Sequence, residues 1–179
     1  MRYVPFIAAA SGLILLTGCA TSPQEPATFK TLATASLITS SGNETGTAEL
    51  REQAGKVHLH VRVSNMSSGM HGIHIHAVGS CEAPAFTSAG PHLNPHARQH
   101  GSDNPAGSHL GDLPNLVTSA DGSGTLDYTL PSGPAEVVPL VMDADGAAIV
   151  IHAGADDYRT DPSGNSGTRI ACGVLSRPV

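Results

Sequence analysis

The sequence predicts an all-β domain, built as a sandwich or a barrel. Three observations carry this. Short Thr-, Val- and Leu-rich runs recur between turn residues, and the 179 residues include 20 glycines and 13 prolines. Val57–Val63 alternates apolar and polar residues, the pattern of a strand buried on one face. No stretch carries the apolar period of a long helix.

The strands follow in order. Phe29–Ser40, rich in Thr, Ala and Leu, is expected to be the first. Gly46–Arg51 alternates weakly, and Val57–Val63 alternates cleanly. His71–Val78 is a further candidate. Gly124–Leu130 and Ala147–His152 each follow an Asp-Gly turn signal, Asp121-Gly122 and Asp145-Gly146. Residues 79–115 (Gly, Pro, Ser, His) and 153–168 (Gly, Asp, Ser) show no strand pattern. Loops this long are functional or disordered, and the histidines of the first favour function. No internal repeat is visible. With no Trp and 3% aromatic residues, the core is expected from Val, Leu, Ile and Ala.

The domain is expected over residues 29–179. Residues 1–18 read as an export signal: Arg2 is the positive start, and Val4–Leu16 is apolar but too short to span a bilayer comfortably. Leu16-Thr17-Gly18-Cys19 resembles the lipobox of bacterial lipoproteins. That resemblance implies lipidation of Cys19 and a membrane anchor facing the periplasm or the cell exterior. An ordinary signal with a chance cysteine is the alternative. Residues 20–27 are polar and Pro-rich, so 19–28 reads as the lipidated Cys and a flexible tether. Three cysteines leave an odd thiol in an exported chain. Lipidation of Cys19 would leave Cys81 and Cys172 as a pair suited to an oxidising compartment. Two buried thiols are the alternative.

The net charge is −6, and −7 once Arg2 leaves with the signal (8 basic against 15 acidic residues). With no Lys/Arg cluster, nucleic-acid binding is not expected, because neutralising phosphates needs a basic patch.

Seven candidate metal ligands then stand out: His74, His76, His92, His100, His109, Asp112 and His152. Imidazole suits copper and zinc, and a carboxylate completes zinc sites. One zinc rarely takes more than four ligands, so two metals are expected. Strand residues i and i+2 share a face, so His74 and His76 grip one ion together, and His152 is placed to complete that site. His92, His100, His109 and Asp112 form a four-ligand set on the long loop.

Gly72-Ile73-His74-Ile75-His76, Gly90-Pro91-His92-Leu93-Asn94-Pro95, His100-Gly101, His109-Leu110-Gly111-Asp112-Leu113, Val150-Ile151-His152 and Gly164–Val174 together resemble copper/zinc superoxide dismutase, over about residues 29–175. The resemblance implies an antiparallel eight-stranded Greek-key β-barrel, sandwich-like, with two long loops carrying the metal site. It implies His74, His76, His92 and His152 on copper, and His92, bridging, with His100, His109 and Asp112 on zinc. It implies a Cys81–Cys172 disulfide, Arg169 attracting the superoxide anion, catalytic roles for Arg169 and His92, and Asp156 supporting imidazoles of both sites. The implied activity converts superoxide to dioxygen and hydrogen peroxide. A non-enzymatic envelope protein that buffers or delivers copper and zinc is the alternative, and a homodimer is one option left open.

Outside this set, His71 is expected to be structural, His58 and His60 solvated on a strand's polar face, and His96 an incidental loop residue. Arg159 reads as a solvated charge. Loop 153–168 sets Asp156, Asp157 and Asp161 against Arg159 alone, which puts strong positive steering in doubt. Ala77 follows His76 where relatives carry an acidic residue.

Overall fold

The computed structural model describes Met1 and residues 28–178. The expected signal, Cys19 and the tether through residue 27 lie outside the described residues. Among the described residues the strands are β1 (Lys30–Thr39), β2 (Glu44–Gln53), β3 (Lys56–Val63), β4 (Gly69–His71), β5 (Ile73–His76), β6 (Leu116–Thr118), β7 (Gly124–Thr129), β8 (Ala148–His152) and β9 (Arg169–Val174), with one α-helix, α1 (Pro134–Val141), before β8 and a 3₁₀ turn at Thr87–Ala89. Every strand pair is antiparallel, in the order β4-β6-β7-β3-β2-β1-β9-β8-β5. After three sequential strands the chain leaves, and β7, not β4, pairs with β3, the long return of a Greek key.

β4 and β5 sit at opposite ends of that order, yet only Gly72 separates them. One bent segment therefore joins both sheet edges and nearly closes the barrel. The expected eight strands become nine because the run at 71–78 divides at this bend. Gly72 turns its N–H to Gly154 O (2.8 Å) and its carbonyl to His152 N (2.8 Å), so it leaves the ladder there. β9 was marked only as part of the Gly164–Val174 motif, and β4, β6 and α1 were not foreseen from residue pattern. β4 and β6 are three residues each, too short to show alternation. α1 spans eight residues, with Pro at its first position and Pro139 inside, so its period is also too short to read.

Alternation along the strands fills the barrel. Ala33, Ala35 and Leu37 of β1, Ala48 and Leu50 of β2, Val57, Leu59 and Val61 of β3, and Ile149 and Ile151 of β8 join one buried cluster. Each fully buried Leu or Ile contributes roughly 1.5–3 kcal/mol. The expectation of an aliphatic core holds in this cluster, with one departure outside it. Phe86, on loop 77–115, is fully buried in a second cluster with Ala89, Ala148, Val150 and Cys172.

β5 and β8 are buried at every position, and the second cluster covers the outward Ala148 and Val150 of β8. Ile73, Ile75, Ile149 and Ile151 point into the barrel. The alternate residues, His74, His76, Ala148, Val150 and His152, point outward beneath the two long loops, 77–115 and 153–168. Cys81 and Cys172 form a disulfide, Cα–Cα 5.7 Å, which ties the first loop to β9.

Candidate metal centre

The outward residues of β5 meet loop 77–115 through backbone pairing. Leu93 N donates to Ile75 O (2.8 Å), Ile75 N to Gly111 O (2.9 Å) and Gly111 N to Leu93 O (2.9 Å). These bonds set His92 beside His76 and Asp112 beside His74 as isolated bridges. A Cβ at Gly111 would stand 2.2 Å from Ile75 O, so only glycine permits this approach. Across the β8–β9 pairing His152 faces Arg169.

All seven candidate ligands are thereby brought to one place. His74, His76, His92 and His152 offer nitrogens within 4.8 Å of one another. Each has one ring nitrogen engaged. His74 Nε2 donates to Asp156 Oδ2 (2.6 Å), His76 Nδ1 to Gly90 O (2.8 Å) and His152 Nδ1 to Gly167 O (3.1 Å), while His92 Nδ1 lies 2.9 Å from Asp112 Oδ1. Their other nitrogens, His74 Nδ1 and His76, His92 and His152 Nε2, are buried with no hydrogen-bond partner. Buried polar atoms are nearly always paired, and metal-ligating histidines have the opposite nitrogen held in this way.

The second set closes around Asp112. The Nδ1 atoms of His92, His100 and His109 lie 2.9, 3.0 and 3.1 Å from Asp112 Oδ1. His100 Nδ1 is buried and has no partner beyond that carboxylate. Ligands at bonds of 2.0–2.1 Å around a tetrahedral ion stand about 3.3 Å apart, so three imidazoles and a carboxylate at this spacing fit zinc. Asp112 Oδ2 accepts from Gly101 N (2.9 Å) and His109 N (3.0 Å), leaving Oδ1 for the centre. His92, with Nδ1 in this set and Nε2 in the other, belongs to both.

Asp156 lies behind the two sets. Its Oδ2 takes His74, and its Oδ1 takes His100 Nε2 at 3.0 Å. Asn115 fixes Asp156 through paired side-chain and backbone bonds of 2.8 and 2.9 Å. A Cβ at Gly164, where φ is +64°, would strike Asp156 Oδ1 at 1.9 Å. Sequence reasoning missed Asn115, and nothing in its spacing marks it.

Burial sets the proton affinities. It lowers His74 to about 3, aided by His92 and His152 and opposed by Asp156. Burial, then His92 and Arg169, brings His76 to about 2 and His152 to about 4. His92 is lowered, chiefly by burial. These imidazoles are therefore neutral near pH 7, the state that metal binding requires. His100 behaves oppositely: burial lowers it, but Asp112 and Asp156 outweigh burial and raise it to about 9. Burial raises both carboxyls, yet their histidine partners hold Asp112 and Asp156 well below the usual range.

A cavity of about 790 Å³ opens onto the first set, with His92, His152, Arg169, Arg98 and Asp161 in its walls. Arg169 donates from Nη1 to Phe86 O (2.7 Å) and from Nη2 to Gly90 O (2.7 Å). The carbonyl of Gly90 thus holds both Arg169 and His76.

The other histidines lie apart. His71 is buried and structural, its Nδ1 meeting His152 O (2.8 Å) and its Nε2 Ser67 O (3.0 Å). His96 bonds Glu136 of α1 (2.8 Å). His58 Nδ1 bonds Thr129 Oγ1 (2.9 Å). His60, expected to be solvated, is only 9% exposed, with Nδ1 against the Asp127 carboxylate. Its cross-strand neighbours Glu49 and Asp127 flank it.

Fold and site together define an antiparallel β-barrel metalloprotein with two adjoining donor sets that share one imidazole. Residues 44–175 match the family described as copper/zinc superoxide dismutase (SODC), and the chain belongs to that family. Its cofactors are copper and zinc. A superoxide dismutase-like protein of Bacillus subtilis is 41% identical over 143 residues, which is 78% of this chain and 73% of that protein. A Cu-Zn superoxide dismutase of Caulobacter vibrioides is 37% identical over 147 residues, 80% of this chain and 84% of that one. A solved Cu/Zn superoxide dismutase from Brucella abortus superimposes with TM-score 0.63 at 27% identity, over 83% of this chain and all of that chain.

Proposed function

We propose that this chain is a superoxide dismutase working at a copper–zinc pair. The observation that carries this reading is the set of four buried, unpartnered nitrogens on His74, His76, His92 and His152, each opposed by a fixed ring atom. Those four atoms would hold copper. His92 Nδ1, His100 Nδ1, His109 Nδ1 and Asp112 Oδ1 would hold zinc. A bound copper would supply one-electron redox chemistry, by which two superoxides and two protons become dioxygen and hydrogen peroxide, beside a redox-inert zinc.

The chain's residues supply the rest. Arg169 presents a fixed positive charge at the cavity wall, where a cleft focuses the field on a small anion. His92 Nε2, when not engaged by copper, would hold one of the two protons that peroxide takes up, the other coming from solvent, while Nδ1 stays beside Asp112 Oδ1. Asp156 keeps His74 and His100 in the tautomers that direct Nδ1 to the centre. A protein that only buffers metal needs the donors alone, so the cavity with Arg169 in its wall favours catalysis.

The test is dismutase activity of the full chain loaded with copper and zinc, with Arg169→Glu as control. Activity that falls sharply in the variant supports the reading, and no activity in the loaded wild type would sink it.

The anchor belongs to the same proposal. Supported by the lipobox-like 16–19 segment, the chain is exported, lipidated at Cys19 and held in the bacterial envelope. Labelled palmitate should enter the wild type and not Cys19→Ser; equal labelling would reject the anchor. Homodimer formation is decided by the solution mass of the full chain from light scattering.

A further inference from the structure

We infer that Arg98, on loop 77–115, is a second anion-recruiting residue of this site, so that superoxide approaches between two guanidiniums, Arg98 and Arg169. The inference rests on the dismutase reading above.

Net charge cannot draw the anion in, because the chain without its signal carries −7 (8 basic against 15 acidic residues). Attraction must come from local charge in the cleft, since exposed charges beyond a Debye length of about 8 Å are screened at physiological salt. Of the eight basic residues, Lys30, Arg51, Lys56 and Arg62 lie on β1–β3 and Arg177 near the C-terminus. Three remain near the loops: Arg98, Arg159 and Arg169.

Arg159 is not in the cavity wall. Its guanidinium lies 3.8 Å from the Asp103 carboxylate, and its side chain is 71% exposed. Arg98 and Arg169 both line the cavity with His92 and His152. Neither forms an ion pair among the described residues. Arg98 is fixed rather than trailing: its N–H donates to Asn94 Oδ1 (3.0 Å), Asn94 Nδ2 donates to Arg98 O (2.8 Å), and Nη1 donates to Gly107 O (3.0 Å). The opposing charge in the wall is Asp161, whose Oδ1 accepts His100 N–H at 2.6 Å. Two cations and one anion, Asp161 of loop 153–168, leave a local excess of +1 in the cavity wall.

The test uses the full chain loaded with copper and zinc, comparing wild type with Arg98→Glu, Arg98→Lys and Arg159→Glu. Metal content and melting temperature come first, and both should match wild type. Azide, a small anion, is then titrated against the copper absorption band at low and high ionic strength. Arg98→Glu should weaken azide binding and slow superoxide consumption about three- to tenfold at low salt, with the difference shrinking at high salt. Arg98→Lys should restore most of both, and Arg159→Glu should change little. Wild-type azide affinity and salt dependence in Arg98→Glu would overturn the inference, as would an equal effect from Arg159→Glu or no recovery with lysine. If the wild type binds azide but does not consume superoxide, the dismutase reading fails while the azide comparison still judges Arg98.

Discussion

At the scale of single residues, roles follow from which ring nitrogen is engaged and by what. His152 Nε2 belongs to one donor set and His92 to both. His152→Ala should therefore lose copper and keep most of its zinc, whereas His92→Ala should lose both; metal analysis after dialysis checks this, and equal loss in the two variants would refute the division. Asp156 accepts from a histidine of each set, so Asp156→Asn should weaken both metals about 10–100-fold in chelator competition. Metal-free protein should show opposing pH effects. Below pH 6.5 the unfolded chain protonates His74, His76 and His152, but the folded chain, with values of about 3, 2 and 4, does not. Stability then falls as pH drops. Above 6.5 folded His100, raised to about 9, keeps a proton that the unfolded chain has lost. That contribution disappears as pH rises toward 9. Denaturant melts of the metal-free chain should peak near pH 6.5, and stability that climbs steadily to pH 9 would contradict the assignment of His100.

At the scale of elements, the centre depends on two strands that carry isoleucine inward and histidine outward, and on a loop pinned to one of them. Gly111→Ala would place a carbon 2.2 Å from Ile75 O and should cost at least about 2 kcal/mol in denaturant unfolding. Phe86 anchors the same loop from the other side, and its carbonyl orients Arg169. Phe86→Ala should cost about 3–5 kcal/mol through the cavity it leaves. A neutral result for either would mean that the loop docks independently of them. The β5 strand was legible because Ile73-His74-Ile75-His76 alternates without exception. The three-residue strands and the eight-residue helix were not, because neither period completes within them.

At the scale of the whole molecule, the Cys81–Cys172 bond spans 91 residues and joins the first loop to the barrel. Loop-closure entropy for that span stabilises the fold by about 4–5 kcal/mol. Cys81→Ser with Cys172→Ser should therefore lower the melting temperature by roughly 10–15 °C, and an unchanged melt would show that the loop's other contacts suffice. By itself the sequence determined the all-β class, the candidate metal ligands and their placement on a strand pair and a loop. Those are properties of residue type and of a two-residue period, both local. Tertiary structure decided the rest: the bend at Gly72 that nearly closes the barrel, the burial of Phe86 and His60, the bracing of Asp156 by Asn115, and the placing of Arg98 and Arg169 in the wall of one cavity. Each joins residues distant in the chain, and such contacts are fixed by how elements pack against one another, which no local pattern encodes.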